Sequence, residues 1–212
     1  MTKFLVVFDV DSTLIQDEVI ELLADFAGVR EQVAEITNRA MSGELDFESS
    51  LSERVLTLRG LPESVLTDVF QKVRVSLGAK ELIDAIHEAG GRVGAVSGGF
   101  IQVLNPLAEL LSLDFTRANE LEVVDGVLTG RVVGKVVDRK AKRSALIEWA
   151  AACDVDLSQT IAVGDGSNDL DMMHAAGLSV AFNAKQIVKD QANMVLAGQD
   201  LRELATALGL SR

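Results

Sequence analysis

The chain predicts an α/β fold: a doubly wound parallel sheet with helices on both faces, a small helical cap inserted after the first strand, and a short β-hairpin appendage. Three observations predict it. Phe4-Leu5-Val6-Val7-Phe8 is continuously apolar, as a strand buried on both faces of a parallel sheet must be. From residue 80 onward, strand-like and helix-like segments alternate. Between Thr13 and Gly91 no strand-like run appears. The boundaries that follow are 1–13 and 77–212 for the core and 14–76 for the cap.

The elements follow in order. Asp17 to Ala27 carries Val19, Leu22, Leu23 and Phe26 at helical spacing and stops at Gly28. Arg30 to Met41 is a second helix ending near Ser42-Gly43, and Asp46 to Leu58 a third, striped by Phe47, Leu51, Val55 and Leu58. Pro62 to Val75 begins with a proline suited to a first helical turn. Lys80 to Ala89 is helical and ends at Gly90-Gly91; Arg92 to Val96 is a strand entering Ser97-Gly98-Gly99; Phe100 to Leu111 is a helix. Leu113 to Ala118 holds a short strand. Asp125-Gly126, flanked by apolar residues within Glu122 to Val133, signals a hairpin. Lys140 to Ala152 is helical, and Thr160 to Val163 is a strand entering Gly164-Asp165-Gly166. A helix over Asn168 to Ala176, a strand over Leu178 to Phe182, and helices over Ala184 to Ala192 and Asp200 to Leu208 complete the chain.

Composition narrows the classes. The 20 basic and 32 acidic residues leave a formal charge of −12, which argues against a general nucleic-acid or anionic-membrane surface. An anionic substrate would need a local basic site. No apolar run approaches the ~20 residues needed to cross a bilayer, and the start lacks a secretory pattern. The single cysteine, Cys153, excludes an intramolecular disulfide framework and fits a reducing cytoplasm, with core filling as its expected role. Monomer and homodimer both stay open.

The chemistry lies at strand ends. Asp9 and Asp11 follow the first strand and, two apart in extended chain, face one site at the sheet's carboxyl edge, where open α/β sheets bind ligands. Two more apolar strands end in Ser97-Gly98-Gly99 and in Gly164-Asp165-Gly166-Ser167-Asn168-Asp169, each followed by a helix whose first amides point to the same edge. Carboxylates beside glycine-rich anion cradles suggest phosphate bound next to a divalent metal. Asp9, Asp165 and a backbone carbonyl make the hard oxygen shell that Mg²⁺ prefers. The amides of Ser97 and Gly98 would help neutralise a transferring phosphoryl group.

Asp9-Val-Asp-Ser-Thr13, Ser97-Gly98-Gly99, Lys142 and Gly164-Asp-Gly-Ser-Asn-Asp169 resemble, in order and spacing over the whole chain, the four motifs of the haloacid dehalogenase superfamily. The helical insertion, and Ser12 where many relatives carry Gly, resemble its phosphoserine phosphatase branch. Glu18 matches that branch's signature glutamate, and Phe47 and Arg54 its Phe and Arg pair. No counterpart of the amino-acid-sensing regulatory domains of longer members is present. The resemblance implies hydrolysis of O-phospho-L-serine, the last step of serine biosynthesis, with Mg²⁺ as cofactor. It implies Asp9 as nucleophile and metal ligand, Asp11 as acid and base contributing its carbonyl to the metal, and Lys142 as a charge on Asp9. Asp165 would be a metal ligand, Asn168 a phosphate contact, and Asp169 the residue that orients Lys142 or a metal-bound water. Glu18 would pair with the substrate ammonium and Arg54 with its carboxylate, the contacts that select an amino acid phosphate.

Lys142 lies in a basic cluster with Arg139, Lys140 and Arg143; spacing to Asp165 selects Lys142, with Lys140 its rival. A phosphotransferase, a phosphatase for another small phosphate, and a receiver-like phospho-Asp module are the competing readings. Asp11 stands against the last, because a long-lived phospho-aspartate does not want an adjacent acid and base. His87 and His174 read as isolated helix residues, Met172 and Met173 as core or pocket floor, and Trp149 as packing on the sheet.

Overall fold

A computed structural model describes residues 2–41 and 44–210, so the stop expected at Ser42-Gly43 lies outside the described residues. The chain runs β1 (Leu5–Phe8), α1 (Val19–Ala27), α2 (Arg30–Met41), α3 (Phe47–Leu56), α4 (Val65–Lys72), α5 (Ala79–Glu88), β2 (Arg92–Phe100), α6 (Ile101–Leu111), β3 (Phe115–Val124), β4 (Val127–Val133) and α7 (Arg139–Ala152). It closes with β5 (Thr160–Gly164), α8 (Leu170–Ala175), β6 (Leu178–Ala181), α9 (Gln186–Lys189), β7 (Met194–Val195) and α10 (Arg202–Ala207). One seven-stranded sheet, ordered β4-β3-β2-β1-β5-β6-β7, carries them. All neighbours pair in parallel except β3 with β4. Strand order reverses at β1, whose neighbours are β2 and β5, so the carboxyl ends of β1 and β5 border the switch point.

Strand β1 explains the layering. Val6 and Phe8 pack into a cluster with α5, α6 and α10, while Leu5 and Val7 pack into a second cluster with α7, α8 and α9. Alternate side chains therefore feed two cores, which is why the strand is apolar throughout. Trp149 stacks on Phe115, with ring centroids 5.5 Å apart, and closes over Gly94 in β2.

The helices α1 to α4 share the first of these clusters. Their entry and exit segments run side by side: Ile15 and Val75 form an antiparallel bridge, Gln16 N–H donates to the Arg74 carbonyl (2.8 Å), and Ser76 N–H donates to that of Leu14 (2.9 Å). Asp17 adds a paired contact to the Arg74 guanidinium.

Several expectations need correction. Pro62 does not open a helix; it bridges Val127, and α4 begins at Val65 because the amides and carbonyls around Pro62 are already bonded to the hairpin. The hairpin lies at the outer edge of the sheet and is continuous with it. Its turn does fall at Asp125-Gly126, both at positive φ, but β3 is one long strand that pairs with β2 and then with β4 as the sheet's edge. Ser97-Gly98-Gly99 does not end β2, which runs on to Phe100 with a register shift. Strand β7 was not anticipated, since two residues carry no periodicity. His87 is a residue of α5, and its Nε2 lies 2.8 Å from Asp114 Oδ2.

Candidate active site

Asp9 leaves β1 with its N–H bonded to the Val163 carbonyl of β5 at 2.9 Å. The chain then tightens into a turn over residues 10–14, closed by Ile15 N–H to the Val10 carbonyl (3.0 Å). Ser12 sits in this turn at φ 59°, a left-handed conformation that glycine adopts freely. Its hydroxyl donates to Glu18 Oε1 at 2.8 Å, anchoring that carboxylate at the entrance to α1. The turn, rather than continued strand alternation, carries Asp11 to the same cavity as Asp9.

Lys142 is 1% exposed and holds two carboxylates, Asp9 Oδ1 and Asp169 Oδ1, each 2.7 Å from Nζ. It reaches them from the first turn of α7, which Asp138 caps by accepting the Ala141 amide (2.8 Å). Lys140, the rival, is exposed. Asp169 is fully engaged, since its Oδ2 accepts the Gly166 N–H at 3.1 Å. A side chain at Gly164 would collide with it, a Cβ falling 2.6 Å from the carboxylate, which explains a glycine there.

Asp9, Asp165 and Asp169 each bring an oxygen within 4.8 Å of the others. Burial first, then the charge of Asp169, push the Asp9 carboxyl well above the ordinary range. Burial, then Asp169 and Glu18, push Asp165 up to about 7. Burial pulls the Lys142 pKa down, but the flanking carboxylates outweigh it and hold it above the usual value. One buried ammonium thus faces three carboxylates, an excess of negative charge that a divalent cation would relieve. Asp9, Asp165 and Asp169 are the carboxylates that could ligate it, Asp169 while also accepting from Lys142 and Gly166.

Asp11 Oδ1 is buried and has no hydrogen-bond partner among the described residues. Burial, then the charge of Glu18, raise its carboxyl well above the ordinary range. Beside it, Ser97 Oγ accepts the Gly99 N–H at 2.7 Å, which leaves the serine proton for another acceptor. The Phe47 ring rests on Gly98, where a Cβ would come 3.0 Å from Cζ.

These groups line one cavity of about 150 Å³, bounded by Asp9, Asp11, Glu18, Phe47, Arg54, Ser97, Gly98, Asp165 and Asn168. Every sequence-predicted site residue lines it except Lys142 and Asp169, which stand behind Asp9. Arg54 donates Nε–H to the Ser50 carbonyl (3.2 Å), leaving its Nη edge for a ligand; burial draws its guanidinium below the ordinary value, against Glu18 and Asp11. Three apolar walls, Ile20, Leu51 and Phe100, were missed, and so was Lys185. Its N–H donates to the Asp165 carbonyl (3.0 Å), and its place just past the strand expected over Leu178 to Phe182 was an available signal.

Comparison with known proteins follows the same line. The model of the haloacid dehalogenase-like hydrolase family matches residues 6–174. The chain is 52% identical over 211 residues to phosphoserine phosphatase SerB2 of Mycobacterium tuberculosis, covering all of this chain and 52% of that protein. It is 50% identical over 206 residues to the phosphoserine phosphatase of Streptococcus thermophilus, covering 97% of this chain and 96% of the relative. The chain therefore spans about half the length of the first relative and nearly all of the second. A solved structure of a phospho-aspartyl intermediate analogue of phosphoserine phosphatase superposes with a TM-score of 0.91 at 42% identity, over 98% of this chain and 99% of that one.

Proposed function

The chain belongs to the haloacid dehalogenase-like hydrolase family, and from that premise we propose that it is a Mg²⁺-dependent phosphatase hydrolysing O-phospho-L-serine to L-serine and phosphate. One observation supports this reading above the rest: the cavity that holds Asp9 and Asp11 also holds Arg54 and Glu18, a cation and an anion suited to an amino acid's carboxylate and ammonium. A sugar phosphate offers neither group.

Asp9 attacks phosphorus in line, forming an Oδ–P bond as the P–O bond to serine breaks. The Lys142 ammonium and the Val10 amide (2.7 Å) both act on Oδ1, leaving Oδ2 for the phosphorus. Asp11, kept neutral by burial, gives its proton to the departing serine oxygen. As a carboxylate it then takes a proton from the water that attacks the aspartyl-phosphate, releasing phosphate and restoring both residues. Ser97, Gly98 and Asn168 receive the phosphoryl oxygens, and Asp169 fixes Lys142. Asp9, Asp165 and the Asp11 carbonyl would hold Mg²⁺, which would supply neutralisation of phosphoryl charge. Residues 14–76 act as the cap that carries specificity, with Phe47 closing the cavity over Gly98.

The test is phosphate release across phosphorylated amino acids and sugar phosphates, with and without Mg²⁺ and with added alcohols. Selective, Mg²⁺-dependent hydrolysis of O-phosphoserine is expected. Preference for a sugar phosphate, or a new phosphate ester formed on an added alcohol, would overturn the assignment.

A further inference from the structure

Asn119 is a buried asparagine outside every motif described above, 2% exposed, at the point where β3 passes the glycine loop. Register between β2 and β3 runs Val96 to Arg117 and then jumps to Phe100 with Asn119. Three residues, Ser97, Gly98 and Gly99, therefore stand opposite the single Ala118. Such a bulge bends the strand and withdraws its polar groups from the ladder. The bend carries Ser97 and Gly98 to the cavity, and it leaves the Gly98 carbonyl in need of a donor.

Asn119 Nδ2 donates to that carbonyl at 2.8 Å. Its Oδ1 accepts the Val137 N–H, also at 2.8 Å. The amide orientation is unambiguous, because a carbonyl can only accept and an N–H can only donate. The peptide unit joining Gly98 to Gly99 is thus clamped at both poles, its C=O by Asn119 and its N–H by Ser97 Oγ. The second bond ties the same side chain to Val137, next to Asp138, the cap of the helix that bears Lys142.

We infer that Asn119 is a positioning residue that fixes the phosphoryl-binding loop and registers it against the Lys142 helix, without touching substrate itself. The inference rests on the phosphatase reading and adds a residue to it. Holding donors where charge develops is worth most in the transition state, so the phosphoryl end of the site should depend on Asn119 while the amino acid end, built by Glu18 and Arg54, should not.

Asn119→Leu conserves volume and removes both bonds; Asn119→Ser keeps a hydroxyl and gives a second, milder variant should the first not fold. With circular dichroism and the melting temperature recorded for each, inhibition by orthovanadate, a mimic of the phosphoryl transition state, is compared with inhibition by L-serine. The expected result is that kcat falls and the orthovanadate inhibition constant rises by about tenfold or more, with the L-serine constant within about twofold. Equal shifts in both constants, or a shift in neither, would overturn the positioning role, since general loosening of the fold would not separate the two ends. Repeating the orthovanadate arm with p-nitrophenyl phosphate as substrate separates the two claims. A wild type that turns over the aryl ester but not O-phosphoserine defeats the substrate assignment and leaves Asn119 tested. Turnover of neither ester defeats both.

Discussion

Both donors that reach Asp9 act on the same oxygen, so Asn at this position keeps the shape of the site and loses its nucleophile. Asp9→Asn should lower phosphate release at least about 10³-fold with an unchanged circular dichroism spectrum; turnover within an order of magnitude of the parent would place the nucleophile elsewhere. At the other end, Arg54→Met should raise KM for O-phosphoserine roughly 10- to 100-fold, the equivalent of losing about 1.5–3 kcal/mol of charge-assisted hydrogen bonding. p-Nitrophenyl phosphate, lacking a carboxylate, should be hydrolysed much as before, and equal losses on both esters would argue that Arg54 only supports the fold. That Asp9, Asp11 and Asp165 line one cavity was legible in the sequence because separate apolar strands end in carboxylates at the same sheet edge, where a lone one would read as a loop residue. Asn119 was not, since its partners are backbone groups 21 and 18 residues away, a relation that no local pattern encodes.

At the scale of elements, the contact between β2 and α7 depends on a missing side chain. A Cβ on Gly94 would stand 2.6 Å from the Trp149 ring, so Gly94→Ala should force the helix outward and cost about 1–3 kcal/mol. Thermal denaturation followed by tryptophan fluorescence would show it as a lower midpoint, and an unchanged midpoint would mean that the ring has room to move. The long elements were readable because each repeats its signal over several turns or alternations. What was misread shares a different cause. Pro62 carried a valid local preference for a first helical turn, yet the strand across from it had claimed its neighbours' hydrogen bonds. The hairpin's turn was readable from Asp125-Gly126, but which sheet its strands extend is settled by pairing with β2, far away in sequence.

For the molecule as a whole, the proposed metal site would link cation binding, protonation and stability through Asp165. Its carboxyl is pushed up to about 7, so between the ordinary carboxylate value and that point the folded chain holds a proton the unfolded chain has released. Metal-free stability should therefore fall as pH rises through that window. A divalent cation competes with the same proton, so the melting-temperature gain on adding Mg²⁺ should be larger near about pH 8 than near about pH 5, and Asp165→Asn should reduce the difference. A gain independent of pH would refute the linkage. The hairpin has a mechanical role of its own. Besides the paired segments at residues 14–17 and 74–76, the helical block is bonded to the hairpin through Gly60 N–H to Leu128 O (2.9 Å), Leu128 N–H to Leu61 O (2.8 Å) and Glu63 N–H to Gly126 O (2.8 Å). A block fixed at one end swings like a gate; one resting on two abutments behaves as a span, stiff at its supports and compliant between them. Between those supports the chain carries α1, α2 and α3, and with α3 the Phe47 ring that rests on Gly98.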